Sequence, residues 1–345
     1  MRVERMKTSS EGAANKAEPV PSSSADTRAE WTVPVQQPLI LISQIQRSGG
    51  TLVSRLFDDH PECFVHPYEL HWGRPTKHDW PALDLGATPA AVFEALDEEW
   101  VRRSVARGYY SKGKGNREER DRHPFLFDRA LQRRIFESRI GAAPATQRDA
   151  LDAYLTSLFN AWLDYQGIYR KPKRFVVGFT PRVNMLPGSR DRFWKDYPDG
   201  YLLSVIREPA TWFASAHRHV TSRSPREFAV VETAIELWRE SAQGTLAAHA
   251  ERPDRVIVVM FEDVIRKTEA VMRRICERTG LPFRESLLHP TYNGQPVQSN
   301  SSFESSREID GLALDRGMVL SPEERSRISR AAGDLYDRAR ERFGL

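Results

Sequence analysis

The sequence predicts an α/β fold: one domain with a central parallel sheet flanked by helices and interrupted by a helical insertion. Three observations carry this expectation. Short, almost wholly apolar runs recur along the chain, as strands buried on both faces of a parallel sheet require. Helically spaced segments alternate with these runs. Between the second and third runs the pattern turns continuously helical.

Residues 1–36 carry Ser, Ala, Pro and mixed charges with no periodic apolar face, and are expected to form a disordered leader ahead of a folded domain over 37–345. Residues 38–43 read as the first strand and 51–57 as a helix, joined by a polar turn rich in glycine. Cys63-Phe64-Val65 forms the second strand. An insertion over about 86–170 follows, with helices expected at 90–107, 127–140 and 149–166. The last places Leu151, Leu155, Leu158, Phe159 and Trp162 on one face. Strands return at 175–177, 201–206 and 255–260. Helices fit 211–220, 230–248, 264–279 with Gly280 just past its end, and 322–342 after Ser321 as N-cap.

Composition excludes several classes. With 345 residues, 40% hydrophobic, 28% charged and a net charge of +4, the chain is not collagen-like, mucin-like or wholly disordered. Its two cysteines, Cys63 and Cys276, are too few for a disulfide framework or a four-thiolate zinc site, which points to a reducing compartment. No apolar run approaches the roughly 20 residues of a bilayer span. The first fifteen residues lack the apolar core of a signal peptide, so a cytoplasmic protein is expected. Charge is uneven: residues 102–139 hold twelve basic and five acidic side chains, a local +7. Such a segment suits an anionic substrate, nucleic acid or a solvated helix face. Four histidines between His60 and His78 lack metal-ligand spacing, so no metal is expected.

The chemistry-bearing pattern begins in the first turn, Arg47-Ser48-Gly49-Gly50-Thr51-Leu52. Glycines permit a tight turn, the N–H groups at a helix start face an anion, and Arg47, Ser48 and Thr51 add donors. A nucleotide triphosphatase loop would need Lys before the Ser/Thr, whereas Gly50 precedes Thr51, which disfavours Mg²⁺-dependent ATP hydrolysis. A plain helix cap would use the same residues. The second segment is Arg207-Glu208-Pro209, at the end of a strand, with Ser215 eight residues after the arginine. Arg207 and Ser215 suit one anion; alternatively Arg207 pairs with Glu208 and Ser215 lies on a helix surface.

In combination the two segments resemble the sulfotransferases that use 3′-phosphoadenosine 5′-phosphosulfate (PAPS), in shape closest to bacterial and Golgi-type members. The resemblance extends over roughly 38–310 through Asp58-Asp59-His60-Pro61, Phe261-Glu262-Asp263-Val264 and Thr279-Gly280-Leu281-Pro282-Phe283. It implies a P-loop-like domain in which residues 47–52 bind the 5′-phosphosulfate and Arg207 with Ser215 binds the 3′-phosphate. It also implies metal-free sulfuryl transfer to an acceptor hydroxyl, on a small molecule, carbohydrate or lipid. Glu69 is the expected base, with His66 as substitute, and Arg47 serves the leaving group. Two departures stand out. Several relatives carry Lys where this chain has Phe179, leaving Arg47 or Arg182 for that role, or a less charged site. The glycine-rich closing segment of the cytosolic members is replaced by 294–303, where Ser302, and beyond it Arg307, would cover the nucleotide; the stretch reads equally as a connection. The +7 segment would then suit an anionic acceptor, and nucleic acid is not an expected partner. The competing readings are a nucleoside-phosphate kinase of similar fold and a non-catalytic anion or nucleic-acid binding module.

Overall fold

A computed structural model describes residues 31–73, 79–108, 125–141, 144–223, 228–296 and 311–345. Most of the expected leader, residues 1–30, lies outside them. Five strands, β1 (Leu39–Ile42), β2 (Cys63–Glu69), β3 (Phe175–Phe179), β4 (Tyr201–Ile206) and β5 (Val256–Met260), pair in parallel in the order β2-β3-β1-β4-β5. Their apolar runs are explained by two cores, one on each face. Leu39, Leu41, Val176, Leu202, Val256 and Val258 point into the first, while Ile40, Ile42, Val177, Leu203, Ile257 and Val259 point into the second. Every strand residue therefore loses water, whichever way the pleat turns it.

Helix α1 (Gly50–Phe57) packs Val53, Leu56 and Phe57 into the second core. Between β2 and β3 lie α2 (Pro89–Leu96), α3 (Glu99–Arg107), α4 (Arg129–Ile140) and α5 (Gln147–Ala161), where the sequence places its insertion. Their apolar faces join the first core through Phe93, Phe136, Leu151 and Leu155, so they close one side of the sheet. Helix α6 (Pro187–Asp196) precedes β4, and α7 (Pro209–Arg223) with α8 (Val231–Glu251) connects β4 to β5. Helices α9 (Phe261–Arg266), α10 (Thr268–Thr279) and α11 (Pro322–Phe343) follow β5. Ser321 caps α11 in a reciprocal bond pair with Glu324, and α10 ends at Gly280 with φ +75°.

Several elements differ from the sequence reading: the helix expected over 264–279 is two, α9 and α10, parted at Lys267, and the one expected over 149–166 ends at Ala161, with Trp162 just past it. Strand β2 continues through His66-Pro67 to Glu69; it is an edge strand, where a proline costs no ladder bond. The helix expected over 90–107 breaks at Asp97 and Glu98, whose buried carboxylates turn to interior partners. Helix α6 was not anticipated, because its Pro-Gly-Ser-Arg-Asp-Arg start carries no apolar stripe.

The order of the strands places the site. From β1 the chain leaves toward β2 and β3, and from β4 it leaves toward β5. The connections part between the carboxyl ends of β1 and β4, the crevice where open α/β sheets take their ligands.

Candidate active site

The loop after β1 occupies that crevice. Gly49 sits at φ +104° as the cap residue of α1, with no side chain bonded across the helix start, and Arg47 is also left-handed at φ +71°. A Cβ on Gly49 would stand 2.5 Å from the Phe261 ring. One on Gly50 would stand 2.1 Å from Gln44 Nε2 and 2.5 Å from the Phe179 ring. Gly49 is thus fixed by conformation and close approach and Gly50 by close approach alone, and the first amides of α1 can meet an anion. Ser48 is buried, and Thr51 and Leu52 are half-buried.

The segment after β4 closes on the same loop. Arg207 Nη1 donates to the Arg47 carbonyl at 3.0 Å and Nη2 to the Ala313 carbonyl at 2.7 Å. Arg47 Nε lies 3.4 Å from Ser215 Oγ on α7. The structure therefore brings Arg47, Arg207 and Ser215 together, and Glu208 is spent elsewhere: its carboxylate accepts from the amides of Ala210 and Thr211 at the start of α7. Two indoles hold the loops in register, Trp212 Nε1 donating to the Gln46 carbonyl and Trp238 Nε1 to that of Arg207. From β5, the Phe261 ring lies 4.3 Å from the Arg207 guanidinium, and Glu262 accepts from the Glu208 amide at 2.9 Å. The Phe261-Glu262 pair noted in the sequence is thus a brace for the β4 loop. The other recurrent segments also meet: Asp58 accepts from Thr291 Oγ1 and the Gly294 amide, and His60 Nε2 bonds the Pro282 carbonyl.

Electrostatics concentrate here. Burial, then the positive charge of Arg316, lower Arg47 to about 10 against the opposing pull of Glu69. Burial and Arg316 lower Arg207 to about 9. Three guanidinium groups share a desolvated crevice, which an anion would relieve. Arg316 was missed in the sequence: it stands on a short 3₁₀ turn, Arg316–Val319, far along the chain, with no spacing that ties it to Arg207. Arg182 takes a flanking place at φ +68°, its Nε donating to Gln46 Oε1 at 2.7 Å. Phe179 packs beneath Gly50.

Glu69 ends β2 opposite Phe179, near enough for its charge to act on Arg47. His71 Nε2 lies 3.3 Å from Glu69 Oε2. His66 faces another way: its Nε2 meets Glu98 Oε2 at 2.9 Å and its Nδ1 meets the Tyr68 carbonyl at 2.9 Å. Glu98 also accepts from the His71 amide at 2.6 Å and from the Tyr154 hydroxyl. Burial alone would raise the Glu98 carboxyl, but the His66 imidazole and the His71 amide outweigh it and hold it below its ordinary value. Neither His71 nor Glu98 was singled out as a site residue from the sequence; the Glu98 contacts join residues 27 and 32 positions apart, which no local pattern relates.

Ser302 and Arg307 lie outside the described residues. Among the described residues no group of three or more His, Cys, Asp or Glu side chains is placed to hold a metal, and no helix is long and apolar enough to cross a membrane. Cys63 and Cys276 are both unbridged and buried.

Comparison with known proteins gives a family and a fold. The Sulfotransferase family profile matches residues 38–285. No curated protein matches the chain in sequence. Among solved structures, the sulfotransferase domain of the Synechococcus PCC 7002 olefin synthase is similar at TM-score 0.50 and 19% identity, covering 86% of this chain and 96% of that one. The sulfotransferase domain from the curacin biosynthetic pathway aligns at 0.47 and 20%, over 86% and 98%. A sulfotransferase from Alicyclobacillus acidocaldarius aligns at 0.45 and 16%, over 88% and 95%. Since the family profile covers residues 38–285, from β1 through the helical insertion and past β5, the chain belongs to the sulfotransferase family.

Proposed function

We propose that the protein transfers a sulfuryl group from PAPS to an acceptor hydroxyl, without a metal. The observation that carries this reading is the meeting of Arg47, Arg207 and Ser215 around the Gly49-Gly50 turn at the crevice between β1 and β4. The crevice fits a nucleotide bearing two phosphates: the α1 amides with Ser48, Thr51 and Leu52 face one, and Arg207 with Ser215 faces the other. PAPS supplies the activated sulfur–oxygen bond. The acceptor oxygen bonds sulfur as the bond to the 5′-phosphate breaks, and the hydroxyl proton passes to Glu69. Arg47 neutralises charge growing on the departing phosphate, in a site dry enough to strengthen that contact. Glu69 suits the base because it stands at the strand end beside Arg47, while His66, the substitute, has both ring nitrogens engaged. Phe179 gives no charge, so Arg47 carries the role of the absent lysine.

The acceptor side is aromatic. Tyr68, next to Glu69, stacks on Trp100 at 6.4 Å and meets Tyr292 edge-on at 5.6 Å. Such walls suit a small molecule, carbohydrate or lipid hydroxyl, without choosing among them. The experiment is calorimetric titration with the product nucleotide, 3′-phosphoadenosine 5′-phosphate. Tight binding to the wild type, lost in Arg47→Ala and Arg207→Ala, is the expected result; binding untouched by both substitutions would end this reading. Mg²⁺-dependent ATP turnover would favour the kinase alternative. Nucleic-acid binding that falls steeply with salt and survives Arg207→Ala would favour the binding module.

A further inference from the structure

Gln44 lies just beyond β1, wholly buried, and both polar atoms of its side chain lack a hydrogen-bond partner. A buried amide without partners is costly, and a native fold that keeps one calls for a reason. Its position gives one. Gln44 Nε2 stands 2.1 Å from where a Cβ on Gly50 would be, so the amide fills the side-chain space that Gly50 leaves open. Gly50 is the first residue of α1, and Cα–Cβ bonds in a helix tilt toward its N-terminus. The space Gln44 fills is therefore on the side to which the uncapped amides of α1 point. Phe179, the other group against Gly50, offers no donor.

We propose that the Gln44 side-chain amide is a direct donor to the anion held at the start of α1, which under the proposed function is the 5′-phosphosulfate end of the nucleotide. This rests on that reading and adds to it a neutral donor beside Gly50 and Phe179, neither of which brings a polar side chain. Since no group among the described residues bonds the amide, a bound oxyanion turns its NH₂ end inward and accepts from it. The Gln44 carbonyl serves the fold by accepting from the Arg182 amide, while the polar end of its side chain is kept for the ligand.

The test compares wild type, Gln44→Met and Gln44→Glu by calorimetry with two probes, 3′-phosphoadenosine 5′-phosphate and adenosine 3′-phosphate, together with melting temperatures without nucleotide. Methionine keeps length and removes the donor; glutamate keeps shape and presents an acceptor. Expected for Gln44→Met is an affinity for the bisphosphate lower by about tenfold or more, an unchanged affinity for adenosine 3′-phosphate, and a melting temperature equal to or above the wild type's. Gln44→Glu should lose still more bisphosphate affinity. A structural role would instead lower the melting temperature and weaken both probes alike, and would overturn the proposal. So would full bisphosphate affinity in Gln44→Met. Failure of the wild type to bind the bisphosphate at all would overturn the functional reading, and this inference with it; binding that the variant retains would overturn this inference alone.

Discussion

Gly49→Ala separates two effects that the cradle combines. At φ +104° an alanine pays a conformational penalty of about 1–2 kcal/mol. Its Cβ would also sit 2.5 Å and 2.8 Å from two carbons of the Phe261 ring. That ring is 96% buried, and overpacking of this kind costs about 1–3 kcal/mol. The sum is a loss of about 2–5 kcal/mol. Gly280→Ala is the control: its φ is +75°, yet nothing lies within 4 Å of the added Cβ, so only the conformational part remains. Urea denaturation of both variants at 25 °C, with melting temperatures as a second readout, gives the difference between them. It is expected to be about 1–3 kcal/mol, and to shrink when Phe261→Leu is added to Gly49→Ala. Because Phe261 also backs the Arg207 guanidinium, Gly49→Ala should weaken nucleotide binding and Gly280→Ala should not. Equal losses of stability in the two glycine variants would refute the packing of the loop against Phe261, and with it the account of why the turn holds its shape.

Glu69→Gln is expected to keep affinity for 3′-phosphoadenosine 5′-phosphate while turnover, measured with labelled PAPS, falls by about 10² to 10⁴; an unchanged rate would move the base elsewhere. Arg316→Met should weaken nucleotide binding roughly tenfold, as removal of a charge-assisted contact does, and calorimetry showing no change would exclude Arg316 from the anion site. Asp152 gives a pH test. Burial raises its carboxyl to about 6, against the pull of the Tyr197 hydroxyl at 2.8 Å. Its folded-state proton affinity exceeds that of the unfolded chain, so its contribution is favourable at low pH and is lost as pH rises through about 6. Asp152→Asn should therefore melt higher than wild type at pH 8, by an amount on the order of 3 kcal/mol at most, and the gap should narrow toward pH 5. A gap that widens on acidification would contradict the assigned burial.

The parts of the fold legible in the sequence are those governed by local rules. Strands buried on both faces read as unbroken apolar runs, and the Arg47 to Thr51 turn announces itself because only glycines fit its backbone. Arg207 was found because an arginine at a strand end before a proline is a local pattern. Glu98 and Arg316 were not legible, since each acts on residues that only the folded sheet brings near, and Gln44 and His71 act over two to six residues through side-chain directions that no motif spacing announces. The +7 segment shows the same limit from the other side. Arg102 and Arg129 both bind the buried carboxylate of Asp97, Arg103 pairs with Glu99, and Arg133 pairs with Glu94. A count of charges along the chain saw a surplus, but Arg102, Arg129 and Arg133 tie the insertion's helices to one another and Arg103 pairs within its own helix; residues 109–124 of that segment lie outside the described residues.

Glu98 has a consequence for anyone wishing to change what the protein acts upon. The insertion is the natural part to exchange between relatives with different acceptors. Yet this one residue, at the hinge of α2 and α3, anchors the His71 amide, and the His71 ring in turn bonds Glu69. A transplanted insertion that lacked a carboxylate there would leave the His71 amide unanchored and Glu69, the base under the proposed function, without its steadying neighbour. A graft boundary between residues 71 and 98 would split the anchor from the strand it steadies, so chimeras should carry residues 66–98 as one block.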